Sequence, residues 1–287
     1  MSQDYLQQAL ELLSALQSQL HGEQQTQLAA AMNAITQAQQ RGEGKDADAL
    51  REQIAAQNVD NSEFVSVMVH EIRKPMTSIR GYADMLGKNV MGELNEMQSQ
   101  FVETIRNNII SMEQLVTDVS DISKMRSGRI VPQPKMEMFK NVVMKLEKDF
   151  GDIAAHRGIP LVFDVPQGLP LLNVDSPRLE QALRKLVDNA LKYTHDNGGE
   201  VRVAAEGMGD KLRIIVSDRG VGISQSDQEH LGELFFRGDQ ELVTQTKGYG
   251  MGLPIAMGCM ELIDGKLSWQ STEGEGSTFE VILPAMS

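Results

Sequence analysis

Between residues 61 and 127 the apolar side chains keep a spacing that suits paired helices. Met68, Ile72, Pro75, Ile79, Tyr82 and Leu86 step by four, three, four, three and four, and Met112, Leu115, Val119 and Ile122 by three, four and three. Residues at those steps form one stripe along an α-helix. The turn-like GKNVMGELN (87–95) separates the two runs, so the segment predicts a helical hairpin. One hairpin cannot close a core alone. Two of them, one from each of two subunits, make a four-helix bundle, so a homodimer is a physical expectation of the pattern.

Residues 1–60 are rich in Gln and Ala and contain no proline. Leu6, Leu10, Leu13, Gln17 and Leu20 follow the coiled-coil stepping until His21-Gly22 interrupts it. A second helical stretch runs through Leu28, Met32 and Ile35, and RGEGKD (41–46) reads as a turn. Leu50, Ile54 and Gln57 resume the spacing up to about Asn58. This N-terminal segment is expected to be helical, serving dimerisation or, as the alternative, sensing. Residues 61–130 form the hairpin.

After Ser127-Gly128-Arg129 and VPQPK the character changes. LVFDV (161–165), EVRVAAE (200–206), KLRIIVSD (211–218), KLSWQST (266–272) and STFEVILP (277–284) read as strands. Helical patterns lie at about 176–194 and 252–264. Residues 135–287 therefore predict one α/β sandwich, and the whole chain an α+β multidomain protein.

With 27 Lys and Arg against 40 Asp and Glu the net charge is −13, and no basic patch interrupts it. Such a surface repels phosphate backbones, so no nucleic-acid partner is expected. The single cysteine, Cys259, excludes a disulfide framework and a Cys-rich zinc site; lying in MGCMELI, it reads as a buried structural thiol. No run approaches the ~20 apolar residues of a membrane span, and MSQDYLQQALELL lacks the form of a signal peptide. A soluble, cytoplasmic chain is expected.

His70, in VMVHEIRKPMTSIRGY, lies about 200° around the helix from Met68, so it points away from the apolar stripe. An imidazole of ordinary pKa, about 6.5, is mostly neutral at cytosolic pH and holds a free lone pair. Glu71 stands beside it and could fix the tautomer. Taken alone, such a pair is ordinary surface. Pro75, five residues on, would normally kink the helix and free a carbonyl, which makes the place unusual.

SDRGVGI (217–223) ends a strand with an acid and two glycines, and in GYGMGLPIA (248–256) Gly248, Gly250 and Gly252 open an apolar helix. Glycines let backbone N–H groups approach a polyphosphate, and a helix N-terminus favours the anion. An acid at a strand end could accept a hydrogen bond from an exocyclic amine such as adenine's. In LEQALRKLVDNALKYT (179–194), Leu183, Leu186, Val187, Ala190 and Leu191 form a core face. Asp188, Asn189, Lys192 and Tyr193 remain as candidates for a cleft. Asn189 carries a neutral oxygen suited to Mg²⁺, and Lys192 a charge suited to phosphate.

Over residues 61–287 the chain resembles the bacterial sensor histidine kinases of two-component signalling. HEIRKP resembles the H-box, LRKLVDNALKYT the N-box, SDRGVGI and GYGMGLPIA the two glycine boxes, and ELFFRGD (233–239) the F-box preceding a mobile lid. The resemblance implies a Bergerat-type ATP-binding domain that uses ATP and Mg²⁺. Asp218 would read the adenine amino group, with Gly220 and Gly222 shaping that pocket. Asn189 would hold Mg²⁺, while Lys192, Tyr193 and Arg237 would lie near the phosphate chain. Gly248, Gly250 and Gly252 would hinge and cradle the lid. His70 would take the γ-phosphoryl group with Glu71 as general base, then pass it to an aspartate on the receiver domain of a separate response regulator.

Three departures stand out. Lys74 occupies a position that in many members is Thr or Asn and orients a dephosphorylating water, which implies weak phosphatase activity. Lys185 stands where the N-box usually has asparagine, putting an auxiliary contact in doubt. The lid LVTQTK (242–247) is poor in arginine and Lys247 replaces a usual glycine, implying modest ATP affinity. Gyrase-, chaperone- and mismatch-repair-type ATPases share the ATP fold but lack an H-box hairpin. A kinase-like scaffold that only binds regulators is the non-enzymatic alternative.

Overall fold

The computed structural model describes the backbone of residues 45–286 apart from 89 and 91, with side chains from Val65 onward. The coiled-coil stretch expected over residues 1–40 lies outside the described residues. The chain divides into two compact units, Met1–Val59 and Asp60–Ser287.

Helix α1 (Lys45–Gly87) and helix α2 (Glu96–Arg126) make the hairpin. α1 shows no interruption near residue 58, where the spacing pattern suggests an end, and it continues through Pro75. The start of α2 is set by a capping box. The Asn95 side chain accepts from the Gln98 N–H at 2.9 Å, and the Gln98 side chain accepts from the Asn95 N–H at 2.9 Å. Arg80–Glu113 at 2.9 Å and Arg106–Asp84 at 2.8 Å tie the two helices in register.

The stripe buried within the hairpin differs from the one that the spacing marks. Val69, Met76 and Ala83, seven residues apart, are buried on α1, and Val102 and Ile109 are buried on α2. Met68, Ile72, Ile79, Tyr82 and Leu86 remain exposed, as do Phe101, Ile105 and Met112. A helix with two apolar stripes has two partners to satisfy, and the hairpin supplies only one.

Downstream lie β1 (Lys135–Glu137), α3 (Phe139–His156), β2 (Leu161–Asp164), β3 (Leu172–Val174), α4 (Ser176–Lys192), β4 (Val201–Gly207), β5 (Lys211–Asp218), α5 (Gln225–Gln228), α6 (Glu241–Gln245), α7 (Gly252–Leu262), β6 (Lys266–Thr272) and β7 (Gly276–Pro284). The main sheet runs β2-β4-β5-β7-β6, with β2 parallel to β4 and the remaining pairs antiparallel. A small antiparallel pair, β1-β3, stands apart. Alternate residues enter the core: Val201, Val203 and Ala205 from β4, Leu212, Ile214 and Val216 from β5, Phe279, Val281 and Leu283 from β7. The buried faces of α3, α4 and α7 join the same cluster, so one sheet face carries a helical layer. Cys259, on α7, is buried there, and that burial pushes its thiol up to about 12.

The second hairpin helix also contributes to this core. Leu115, Val119, Ile122 and Met125 are partly buried against it, and Gly258 of α7 leaves room for the Met125 side chain. Three of the four residues that the spacing assigns to a bundle seam on α2 thus seat the α/β domain as well.

Candidate functional site

A cavity of about 770 Å³ gathers most of the motifs. Asn189 and Lys192 line it from the last turns of α4, and Tyr193 from the cap. Asp218 lines it from the end of β5, Gly222 from the following loop, and Arg237, Gly248, Gly250 and Gly252 from the segment leading into α7. Among the described residues, α1 contributes nothing to its wall, so His70 and Glu71 lie outside it.

The glycines explain why these pieces meet. Gly222 has φ +64°, and a Cβ there would sit 1.9 Å from the Thr272 carbonyl oxygen. Gly220 does not line the cavity. A Cβ on it would sit 2.2 Å from the Tyr193 carbonyl oxygen, and the next residue's N–H, that of Val221, bonds that same oxygen at 3.0 Å. The first glycine box is therefore pressed against the end of α4, bringing Asp218 to the same wall as Asn189. Gly222→Ala is expected to cost the domain at least about 2 kcal/mol, since a left-handed L-residue alone costs roughly 1–2 kcal/mol and the clash adds to it. A thermal melt checks the stability loss, and a nucleotide titration should show weakened binding.

Asp218 is largely buried, and burial pushes its carboxyl up to about 6, although N–H groups of Gly220 at 2.9 Å and Ser277 at 3.3 Å pull the other way. Both bonds fall on Oδ1, which leaves Oδ2 for a donor in the cavity. The Asn189 amide makes no hydrogen bond among the described residues, and a Cβ on Gly252 would lie 3.4 Å from its Oδ1. α7 begins there after Met251, whose side chain makes no capping bond to the first N–H groups. An uncapped helix start beside a neutral amide oxygen suits a phosphate chain carrying a divalent cation. Among the described residues no group of three or more His, Cys, Asp or Glu could hold a metal unaided. Such an ion would take its other ligands from phosphates and water.

Most cations on the wall are already engaged. Lys192 pairs with Asp188 at 2.5 Å. Arg184 pairs with Asp149 and Glu180. Arg237, expected near the phosphate chain, lines the cavity but spends its N–H groups on backbone carbonyls of the segment 243–248. Lys247 has no ion pair or hydrogen bond among the described residues, and it is the wall cation most available to an anion.

Lys185 forms a contact that the motif spacing does not reveal. Its ammonium meets both carboxylate oxygens of Asp118 on α2, at 2.7 and 2.8 Å, and both side chains are largely buried. Gln114 donates to Asp118 at 2.7 Å, and Gln181 to Asp121 at 2.5 Å. This polar clasp seats α4 on α2 and puts Gln114 and Asp118 on the cavity wall.

On the hairpin, His70 is exposed on α1. The Glu71 carboxylate accepts from Lys74 at 2.6 Å, and that hydrogen bond, with the lysine's charge, holds it below the usual carboxylate range. It is therefore ionised at neutral pH, as a proton acceptor must be.

Residues 60–128 match the His Kinase A (phospho-acceptor) domain, and residues 174–287 the Histidine kinase-, DNA gyrase B-, and HSP90-like ATPase. The chain is 32% identical over 286 residues to the circadian input-output histidine kinase CikA of Synechococcus elongatus, covering 98% of this chain. It is 33% identical over 227 residues to the histidine protein kinase DivJ of Caulobacter vibrioides, covering 78% of this chain. It spans 37% of the length of each of these relatives. Full-length ShkA in complex with AMPPNP superposes with a TM-score of 0.66 at 25% identity, over 78% of this chain and 46% of that one. Acinetobacter baumannii AdeS, at 22% identity and a TM-score of 0.53 over 76% of this chain and 98% of that one, shares the fold. A hairpin of the phospho-acceptor type joined to an ATPase domain defines the class: this chain belongs to the sensor histidine kinases. Among the described residues no helix is long and apolar enough to cross a membrane.

Proposed function

We propose that the chain is an autokinase that moves the γ-phosphoryl group of ATP to His70 and then to an aspartate on a response-regulator receiver domain. The observation that carries this reading is that one chain holds an exposed His-Glu pair on a hairpin and, on its α/β domain, a cavity with Asp218 and Asn189 on one wall. Asp218 Oδ2 would accept from the adenine amino group. Asn189 would offer one oxygen to Mg²⁺, which when bound neutralises phosphate charge. Lys192, Tyr193 and Lys247 would border the phosphates, and Gly248, Gly250 and Gly252 would let the lid backbone approach them.

In the transfer, a ring nitrogen lone pair of His70 forms the new N–P bond. The bond from the γ-phosphorus to its bridging oxygen breaks and ADP leaves. The imidazole proton goes to Glu71, which must first exchange its bond to Lys74. Because no described residue of α1, His70 and Glu71 included, lines the cavity, transfer needs either the α/β domain to move or a second subunit's hairpin to enter. The exposed stripe Met68, Ile72, Ile79, Tyr82 and Leu86 would bury itself against such a second copy, forming a four-helix bundle.

The test is incubation with γ-labelled ATP and Mg²⁺. Label that is acid-labile and alkali-stable supports the autokinase. Intact nucleotide binding without label would favour the scaffold reading. At the second step, Lys74→Thr is expected to raise the dephosphorylation rate of a phosphorylated regulator, because a hydroxyl replaces an ammonium held by Glu71. An unchanged rate would remove the argument for weak phosphatase activity in the native chain.

A further inference from the structure

We infer that Arg237 is a positioning residue that holds the lid backbone in its fold, rather than a ligand for phosphate. Its Nη1 donates to the Gly248 carbonyl at 3.0 Å, and its Nη2 donates to the carbonyls of Thr246, at 2.7 Å, and Val243. These three oxygens belong to one short stretch that includes the end of α6. A helix as short as Glu241–Gln245 has little stability of its own, and the carbonyls of its last turn lack helical partners. A cation at a helix C-terminus also meets the negative end of the dipole.

A planar fork of five N–H donors can bridge three oxygens; a lysine ammonium, compact and on a flexible stem, cannot hold the same geometry. The remaining Nε–H of Arg237 is buried without a partner among the described residues. The side chain is therefore committed to the lid backbone at the expense of one of its own donors. Gly250, with φ +65°, continues this arrangement: its carbonyl accepts from Phe235 at 3.0 Å, and a Cβ on it would lie 2.5 Å from the backbone of Phe235 and Phe236. The F-box backbone and the Arg237 side chain thus hold the two ends of the same segment. A lid held by the protein's own side chain has part of its ordering cost met by protein contacts, and apparent affinity scales with the competent fraction.

This inference rests on the nucleotide-binding reading for its consequence, but its central test uses no nucleotide. Amide hydrogen exchange of residues 242–250 is measured on the nucleotide-free full chain for wild type, Arg237→Lys and Arg237→Gln. The lysine variant is expected to exchange at least tenfold faster in that segment, with β5 and β7 unchanged. The glutamine variant, which keeps two N–H donors and no charge, is expected to fall between them and to show folding if the lysine variant aggregates. Within each variant ADP and ATP affinities should weaken by a similar factor, since the order of the lid and not a contact to the γ-phosphate is lost. Unchanged lid exchange in both variants would overturn the inference. So would a lysine variant of native affinity, or an ATP loss far exceeding the ADP loss, which would make Arg237 a γ-phosphate ligand. Absence of nucleotide binding by wild type, with the lid protected by Arg237, would instead count against the proposed function alone.

Discussion

His70→Gln is expected to leave no acid-labile label while nucleotide affinity stays within about twofold of wild type. An amide nitrogen has its lone pair delocalised into the carbonyl, so Gln has no nucleophile to replace the imidazole, and the loss should exceed about a thousandfold. The substitution is otherwise mild. His70 is exposed on α1, glutamine is a better helix former than histidine, and among the described residues the cavity has no wall from α1. Residual label at a comparable rate would move the acceptor elsewhere and remove His70 from the proposal.

Asp218→Asn is expected to weaken ATP binding roughly 10- to 100-fold, the range of about 1.5–3 kcal/mol for a hydrogen bond to a charged group, while making the empty domain more stable. The sign follows from the shift. The carboxyl titrates near 6 in the fold against an ordinary 3.8, so keeping it ionised at pH 7 costs the folded state about 3 kcal/mol. That cost is relieved as pH falls from above 6 towards 3.8, and the neutral amide never incurs it. Binding runs the opposite way, because the proposed adenine contact needs the carboxylate. Wild-type affinity should fall about tenfold for each pH unit below 6, and the Asn variant should show no such slope. Calorimetric titration between pH 5 and 8, with melts of the empty proteins, reads both. A wild-type profile flat across pH 6 would disconnect Asp218 from the base contact.

The motif residues of the α/β domain were legible because each carries a local signature. A strand ending in an acid and two glycines, and glycines opening an apolar helix, are visible in a dozen residues. The five strands of the main sheet and the helices α4 and α7 were legible from alternation and period. α3 was missed although Val142, Val143, Leu146, Phe150 and Ala154 mark one helical face. β1 and β3, at three residues each, are too short for any period to show. The apolar steps on the hairpin were visible, but their partners were not: one stripe of α1 meets α2, another is left exposed, and the stripe on α2 is shared with the α/β domain.

By itself the sequence determined the kind of elements and the chemistry they carry: a helical hairpin bearing His70 and Glu71, an α/β domain bearing Asn189, Asp218 and the glycine boxes, and the family they resemble. Those features depend on residues within one or two turns or one loop of each other. Tertiary structure decided how they are used. Lys185 meets Asp118 across 67 positions of chain, Arg237 on the cavity wall spends its donors on the lid carbonyls, and Asp218 acquires its raised carboxyl from burial at the end of β5. Each is a matter of which surfaces pack together and which donors are already taken, and local spacing carries no record of either.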